Sequence, residues 1–153
     1  MNFWVAKSTL FPFAATVINK QSVCLAILPI KKSLYKADCK YIEIKNLQQK
    51  MLLVLDLLKE QLTTVTFYYN ENNKEQFSLE QKNSLTKKIL TYCEQTKLVL
   101  QFGSLNFLDL DYLNLKKIVI STVLHPEDLL QNQGNKRQAY QDLLLCKTKL
   151  SIL

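Results

Sequence analysis

Lys117-Ile118-Val119-Ile120-Ser121-Thr122-Val123 runs without a break into Leu124-His125-Pro126-Glu127-Asp128-Leu129-Leu130-Gln131-Asn132, and past Gln133 into Gly134-Asn135-Lys136-Arg137-Gln138-Ala139-Tyr140-Gln141-Asp142-Leu143. The β-branched run at 117–123 reads as a strand. Pro126 suits a first helical position, where its missing N–H has no partner to lose, and Glu127 and Asp128 oppose the positive end of the helix dipole. Asn132 to Asn135 then stop one helix and cap the next, which is predicted over 135–150. A strand that passes straight into helix is one step of an α/β fold.

The same step recurs upstream. Residues 22–29 form an apolar run closed by Pro29, and 39–45 alternate apolar and polar residues; both read as strands. Asn46 can cap a helix over 47–61, whose apolar residues at 51, 52, 55, 58 and 62 follow helical spacing. Residues 51–55 are apolar almost all round, so that helix is expected to be well buried. The aromatic run 63–69 is a further strand, ended by Asn70-Glu71-Asn72-Asn73. A helix opens near Ser78 and continues through Tyr92. Residues 97–102 form a strand halted by Gly103, while 105–115 receive no assignment.

Strands separated by helices, with continuous apolar runs, predict a mainly parallel sheet covered on both faces. The expectation is a single-domain three-layer α/β/α sandwich over 21–153, preceded by an N-terminal segment at 1–20. A length of 153 residues with 48% hydrophobic content suits one domain with a sizeable core. Only 2 glycines are present, which argues against the Gly-rich loops of nucleotide-binding proteins.

The formal net charge is +7, but among 20 basic residues Arg137 is the only arginine. Nucleic-acid readers lean on arginine, whose planar fork grips guanine or phosphate bidentately. The lysine excess reads either as general solvation or as an anion-binding surface, with small clusters at Lys31-Lys32, Lys87-Lys88, Lys116-Lys117 and Lys136-Arg137. Cys24, Cys39, Cys93 and Cys146 form no CxxC pair and sit beside apolar neighbours. They are expected to be small core residues in a reducing, cytoplasmic setting. The apolar run at 10–18 is interrupted by Pro12 and followed by Asn19-Lys20-Gln21, which does not fit a signal peptide. No stretch is long and apolar enough to span a bilayer.

His125 is the only histidine, at the carboxyl end of a strand, where crevices open in α/β sheets. It reads as a helix-start residue or, alternatively, as a catalytic one, although no Gly-x-Ser-x-Gly elbow accompanies it. Asp109 and Asp111 would share a face in a strand, but a third oxygen ligand for a cation is missing. They read as surface or capping residues, as do Glu127 and Asp128. Phe3, Trp4, Phe11 and Phe13 form an aromatic cluster that either folds back onto the core or docks on another protein. Phe67, Tyr68 and Tyr69 read as core and edge residues.

The order Pro126, Leu130, Asn132, Arg137, Tyr140 resembles the C-terminal motif of the psi subunit of bacterial DNA polymerase III. Tyr140 stands where that family commonly has tryptophan. Ala26-Ile27-Leu28-Pro29 is similar to the family's first strand, Tyr41-Ile42-Glu43-Ile44-Lys45-Asn46-Leu47 to its second strand and turn, and Leu100-Gln101-Phe102-Gly103 to a later one. The N-terminal segment departs from the family's usual peptide pattern. The resemblance implies a non-catalytic, cytoplasmic replication adaptor with no cofactor and no metal. It would pair with a chi-like subunit through residues 22–149 and anchor to the clamp loader through Trp4, Phe11 or Phe13. Single-stranded-DNA-binding protein would be reached indirectly through chi. The five motif residues are expected to act structurally, as a helix start, a helix stop and a buried aromatic. Two competing readings are a small α/β hydrolase or transferase using His125, and a basic module binding nucleic acid directly.

Overall fold

Seven consecutive buried residues, Cys24 to Ile30, mark the central strand of the sheet. The computed structural model describes residues 2–4, 16–31, 33, 39–69 and 78–153, with backbone pairing alone for 2–4 and 16–18. The strands are β1 (Asn2–Trp4), β2 (Thr16–Ile18), β3 (Cys24–Lys31), β4 (Leu62–Tyr69), β5 (Leu98–Phe102) and β6 (Val119–Val123). Their order in the sheet is β1-β2-β4-β3-β5-β6. The four strands β4, β3, β5 and β6 are parallel, and β1 and β2 are added antiparallel beyond β4.

Parallel neighbours need a crossover, and helices supply it. They are α1 (Cys39–Leu53), α2 (Leu79–Tyr92), α3 (Leu110–Leu115), α4 (Pro126–Gln131) and α5 (Lys136–Ile152). Side chains alternate across β3, so the core divides in two. Cys24, Ala26, Leu28 and Ile30 meet Ile44, Met51 and Leu52 of α1, Leu129 of α4, and Ala139, Leu143 and Cys146 of α5. On the other face Leu25 and Ile27 meet Leu85 and Ile89 of α2, Leu113 of α3 and Phe107, which stacks on Phe67 at 4.9 Å between centroids. The three-layer α/β/α arrangement is therefore present.

Several expectations are corrected. Residues 39–45 are the start of α1 and not a strand. Their alternation is local, whereas Ile44, Gln48, Met51 and Leu52 are buried at helical spacing, and the step from β3 to its parallel neighbour β4 requires a crossover here. The helix expected to reach residue 61 stops at Leu53, which is 77% exposed despite its apolar surroundings. Asp56 then turns the chain with a left-handed φ of 55°. Residues 110–115 form α3, so Asp109 and Asp111 do not share a strand face. Asp109 caps the helix by accepting the Tyr112 N–H, and Asp111 lies exposed in its first turn. Cys39 is exposed, while Cys24, Cys93 and Cys146 are buried; burial pushes the Cys24 thiol up to about 12.

Pro29 does not close its strand, which continues to Lys31. Pairing of β3 with β5 ends at Ile27↔Gln101, and Pro29 pairs only with Phe67 of β4. Its carbonyl points to the unpaired side, where His125 takes it. Backbone N and O of one strand residue face the same way, so the missing N–H leaves no ladder position empty.

Candidate functional site

Among the described residues, two places on this fold stand out as able to carry function. The first is the crevice at the carboxyl ends of the parallel strands, where the order reverses between β3 and β5. β3 and β5 part after Ile27↔Gln101, and Gly103, at φ +84°, follows β5 with its N–H donating to the Val123 carbonyl of β6 at 2.8 Å. The open cleft there holds about 320 Å³ and is lined by Lys31, Tyr69, Ser104, His125, Glu127 and Asp128 among others.

His125 occupies the floor of that crevice. Its Nδ1 accepts the Glu127 backbone N–H at 3.0 Å, capping α4 with Pro126 at the first helical position. A backbone N–H can only donate, so the ring proton sits on Nε2, which donates to the Pro29 carbonyl at 2.5 Å. Burial pushes the imidazole pKa below 6.5, opposed by the Pro29 hydrogen bond and the Glu127 charge. Both ring nitrogens are thus engaged, which leaves none free to take a proton from a substrate.

Glu127 finishes the same lock. It is buried, and its Oε1 lies 3.2 Å from Lys31 Nζ at the end of β3 and 4.0 Å from Lys40 Nζ in the first turn of α1. Lys40 opposes the dipole at that helix start, and the carboxylate offsets it. The crevice where α/β proteins commonly hold ligands is here tied together by a cap, a carbonyl hydrogen bond and an ion pair.

The second place is the outward surface of α5. Its inward side is Ala139, Leu143, Cys146 and Leu150, and away from it stand Tyr140, Leu144, Leu145 and Ile152, interleaved with the exposed Arg137, Gln141, Thr148 and Ser151. Tyr140 is 52% exposed, Leu145 60% and Ile152 79%. A solvent-facing helix surface is ordinarily polar. α1, which packs beside α5, adds Ile42 and Leu53 on its own outer face. On the other side of the sheet the exposed apolar residues Leu79, Tyr92, Leu110 and Leu115 are all terminal residues of α2 and α3, as Leu53 and Ile152 are of α1 and α5, and the middle of α2 presents Ser84, Lys87 and Lys88 where the middle of α5 presents Leu144 and Leu145.

The sequence motif divides between these places. Pro126 is buried, Leu130 packs against the core, and Asn132 ends α4 and accepts the Gly134 N–H through its side chain. Arg137 and Tyr140 instead face outward on α5, so the expected buried aromatic is an exposed one. Three residues apart on a helix, they lie on neighbouring positions. Trp4 lies in β1, and Phe11 and Phe13 fall outside the described residues. The residues that sequence reasoning missed are Leu144, Leu145 and Ile152. Three consecutive leucines on one helix cannot all face inward, and that was the available signal.

No family model matches the chain, and no curated protein matches it. Among the described residues no helix is long and apolar enough to cross a membrane.

Proposed function

We propose that this protein is a non-catalytic adaptor of the kind its terminal motif resembles, a psi-like accessory subunit of a bacterial DNA polymerase III. The α/β domain pairs with a chi-like subunit, the N-terminal segment attaches to the clamp loader, and chi in turn reaches single-stranded-DNA-binding protein. The observation that carries this reading is the group of exposed apolar side chains on α5, Tyr140, Leu144 and Leu145, since apolar residues gathered on an exposed surface mark interaction sites.

Sheet order lends a second support. β1 forms one edge of the sheet, and β6, on which α5 packs, forms the other. Five strand spacings of about 4.8 Å separate those edges by roughly 24 Å, room for two partners at once. The enzyme reading loses support because His125 spends both ring nitrogens on the fold.

Direct binding of single-stranded nucleic acid is a second reading. It draws on Lys87 and Lys116, whose Nζ atoms lie 5.4 and 5.6 Å from the Tyr112 ring centroid. Binding of an oligonucleotide that falls steeply with salt would favour it. The adaptor reading is tested by pull-down of the purified protein with chi-like and clamp-loader subunits. Retention of both is expected, and retention of neither rejects the adaptor.

A further inference from the structure

We infer that two copies of this chain join through the free edge of β6, pairing that strand antiparallel with itself so that the two sheets become one. The adaptor reading does not contain this dimer and does not depend on it.

Hydrogen-bond parity exposes the edge. Val119 donates its N–H to the Lys97 carbonyl at 2.9 Å and Val123 accepts from the Gly103 N–H at 2.8 Å, so the odd-numbered residues of β6 face β5. Ile120 and Thr122 face the other way. β6 ends the sheet order, and neither residue has a backbone partner among the described residues. Open N–H and C=O groups in a row are a template for a further strand, which natural sheets ordinarily blunt with proline, a bulge or a charge. β6, Val119-Ile120-Ser121-Thr122-Val123, carries no proline and no charge, and its register runs without a bulge.

The neighbouring helix selects the occupant. α5 runs antiparallel to β6, because Leu153 at its end accepts from Lys97 Nζ at 3.3 Å beside the start of β6, while Lys149 Nζ donates to Ser121 Oγ at 3.1 Å in mid-strand. Lys149 therefore stands on the flank of α5 turned to the sheet edge, away from α1. Asp142, two turns earlier, lies on the same flank. Neither forms an ion pair among the described residues.

A twofold axis normal to the sheet at this edge sets the two β6 strands antiparallel and the two α5 helices antiparallel beside them. Asp142 of each copy then comes against Lys149 of the other. The surface is thus its own complement in hydrogen bonding and in charge. An extended segment of an unrelated protein would meet the first requirement alone. Tyr140 and Leu144 lie on the opposite flank of α5 from Asp142, so the dimer leaves them clear.

Sedimentation equilibrium and amide hydrogen exchange on the full chain test this. A reversible dimer is expected, with exchange at the Ile120 and Thr122 amides slowing as the protein is concentrated and exchange at Ser121, already paired with β5, unchanged. T122P removes an outward N–H that the β5 ladder does not use, and should give a monomer that melts like the parent. D142K sets lysines against each other and should weaken dimerisation by about tenfold, and D142K/K149D should restore it. If T122P fails to fold, D142K and the charge-swapped variant decide. A parent chain that stays monomeric at its highest soluble concentration overturns the inference, and so does a dimer that D142K leaves at parental strength. Protection of Ile120 and Thr122 by a chi-like or clamp-loader subunit, and not by concentration, assigns the edge to another protein and overturns it as well. The pull-down tests the adaptor reading separately, and either can fail while the other stands.

Discussion

His125 and Pro29 meet across the carboxyl ends of β6 and β3, the imidazole Nε2–H donating to the proline carbonyl while Nδ1 accepts from the Glu127 amide. One side chain thereby caps a helix and closes the gap left where β3 and β5 part. That dual role fixes the ring as neutral, because protonation would remove the cap acceptor and set a cation against the positive end of α4.

The stability of the protein should therefore fall on the acid side of neutrality. Burial holds the folded pKa of His125 below 6.5, so the unfolded chain takes up the proton first. The stability due to the neutral ring is complete above pH 6.5 and is lost as the pH falls through the lower, folded pKa. His125→Asn keeps a cap acceptor that does not titrate. The gap in unfolding free energy between parent and variant should narrow as urea melts are taken from pH 8 to pH 5; a constant gap would count against the assignment.

His125→Ala removes the cap and leaves the Pro29 carbonyl without its donor. A cost of about 1–2 kcal/mol is expected at pH 7, with Asn recovering part of it. Equal stability of the Ala and Asn variants in denaturant titrations would argue that the cap contributes little.

Gly103→Ala tests the turn beside the crevice. The residue has φ +84°, and an added Cβ would lie 3.4 Å from His125 Cβ. A loss of about 1–2 kcal/mol is expected from the left-handed backbone alone. An unchanged melting temperature would exclude this backbone conformation in solution.

Gln48 sits in α1 at 2% exposure, and its Nε2 finds no hydrogen-bond partner among the described residues. Burying an unsatisfied amide costs stability that a thioether of similar volume does not. Gln48→Met should raise stability by about 1 kcal/mol, read as a shift in the urea midpoint at unchanged slope. Destabilisation would mean that the amide has a partner in solution.

Neighbouring leucines on α5 should respond oppositely. Leu143 is buried in the core, so Leu143→Ala should cost about 2–5 kcal/mol. Leu145→Ala, at 60% exposure, should change stability by no more than about 0.5 kcal/mol. Comparable losses at both positions would place Leu145 in the fold and not on a free surface.

The amino-acid sequence by itself determined the elements with one unambiguous period and clear punctuation. The β-branched run before Leu124, the Ser78 cap, the stop at Gly103 and Pro126 at a helix start all fall where local chemistry puts them, because caps, turns and proline act through nearest neighbours. Those elements were enough for a parallel sheet covered on both faces. Only the tertiary structure decided the segments whose local pattern suits two answers. The alternation at 39–45 is compatible with strand or helix, and the parallel pairing of β3 with β4 requires the helix. On α5 the consecutive leucines 143, 144 and 145 point in different directions, so position in the layer, and not sequence, chose Leu143 for the core and left Tyr140, Leu144 and Leu145 outside. His125 likewise reads as a helix start or a base until Pro29, 96 residues away in the chain, is brought to its Nε2. Contacts between segments distant in sequence have no local signature, and they decide which hydrogen bonds a histidine makes and which face of a helix enters the core.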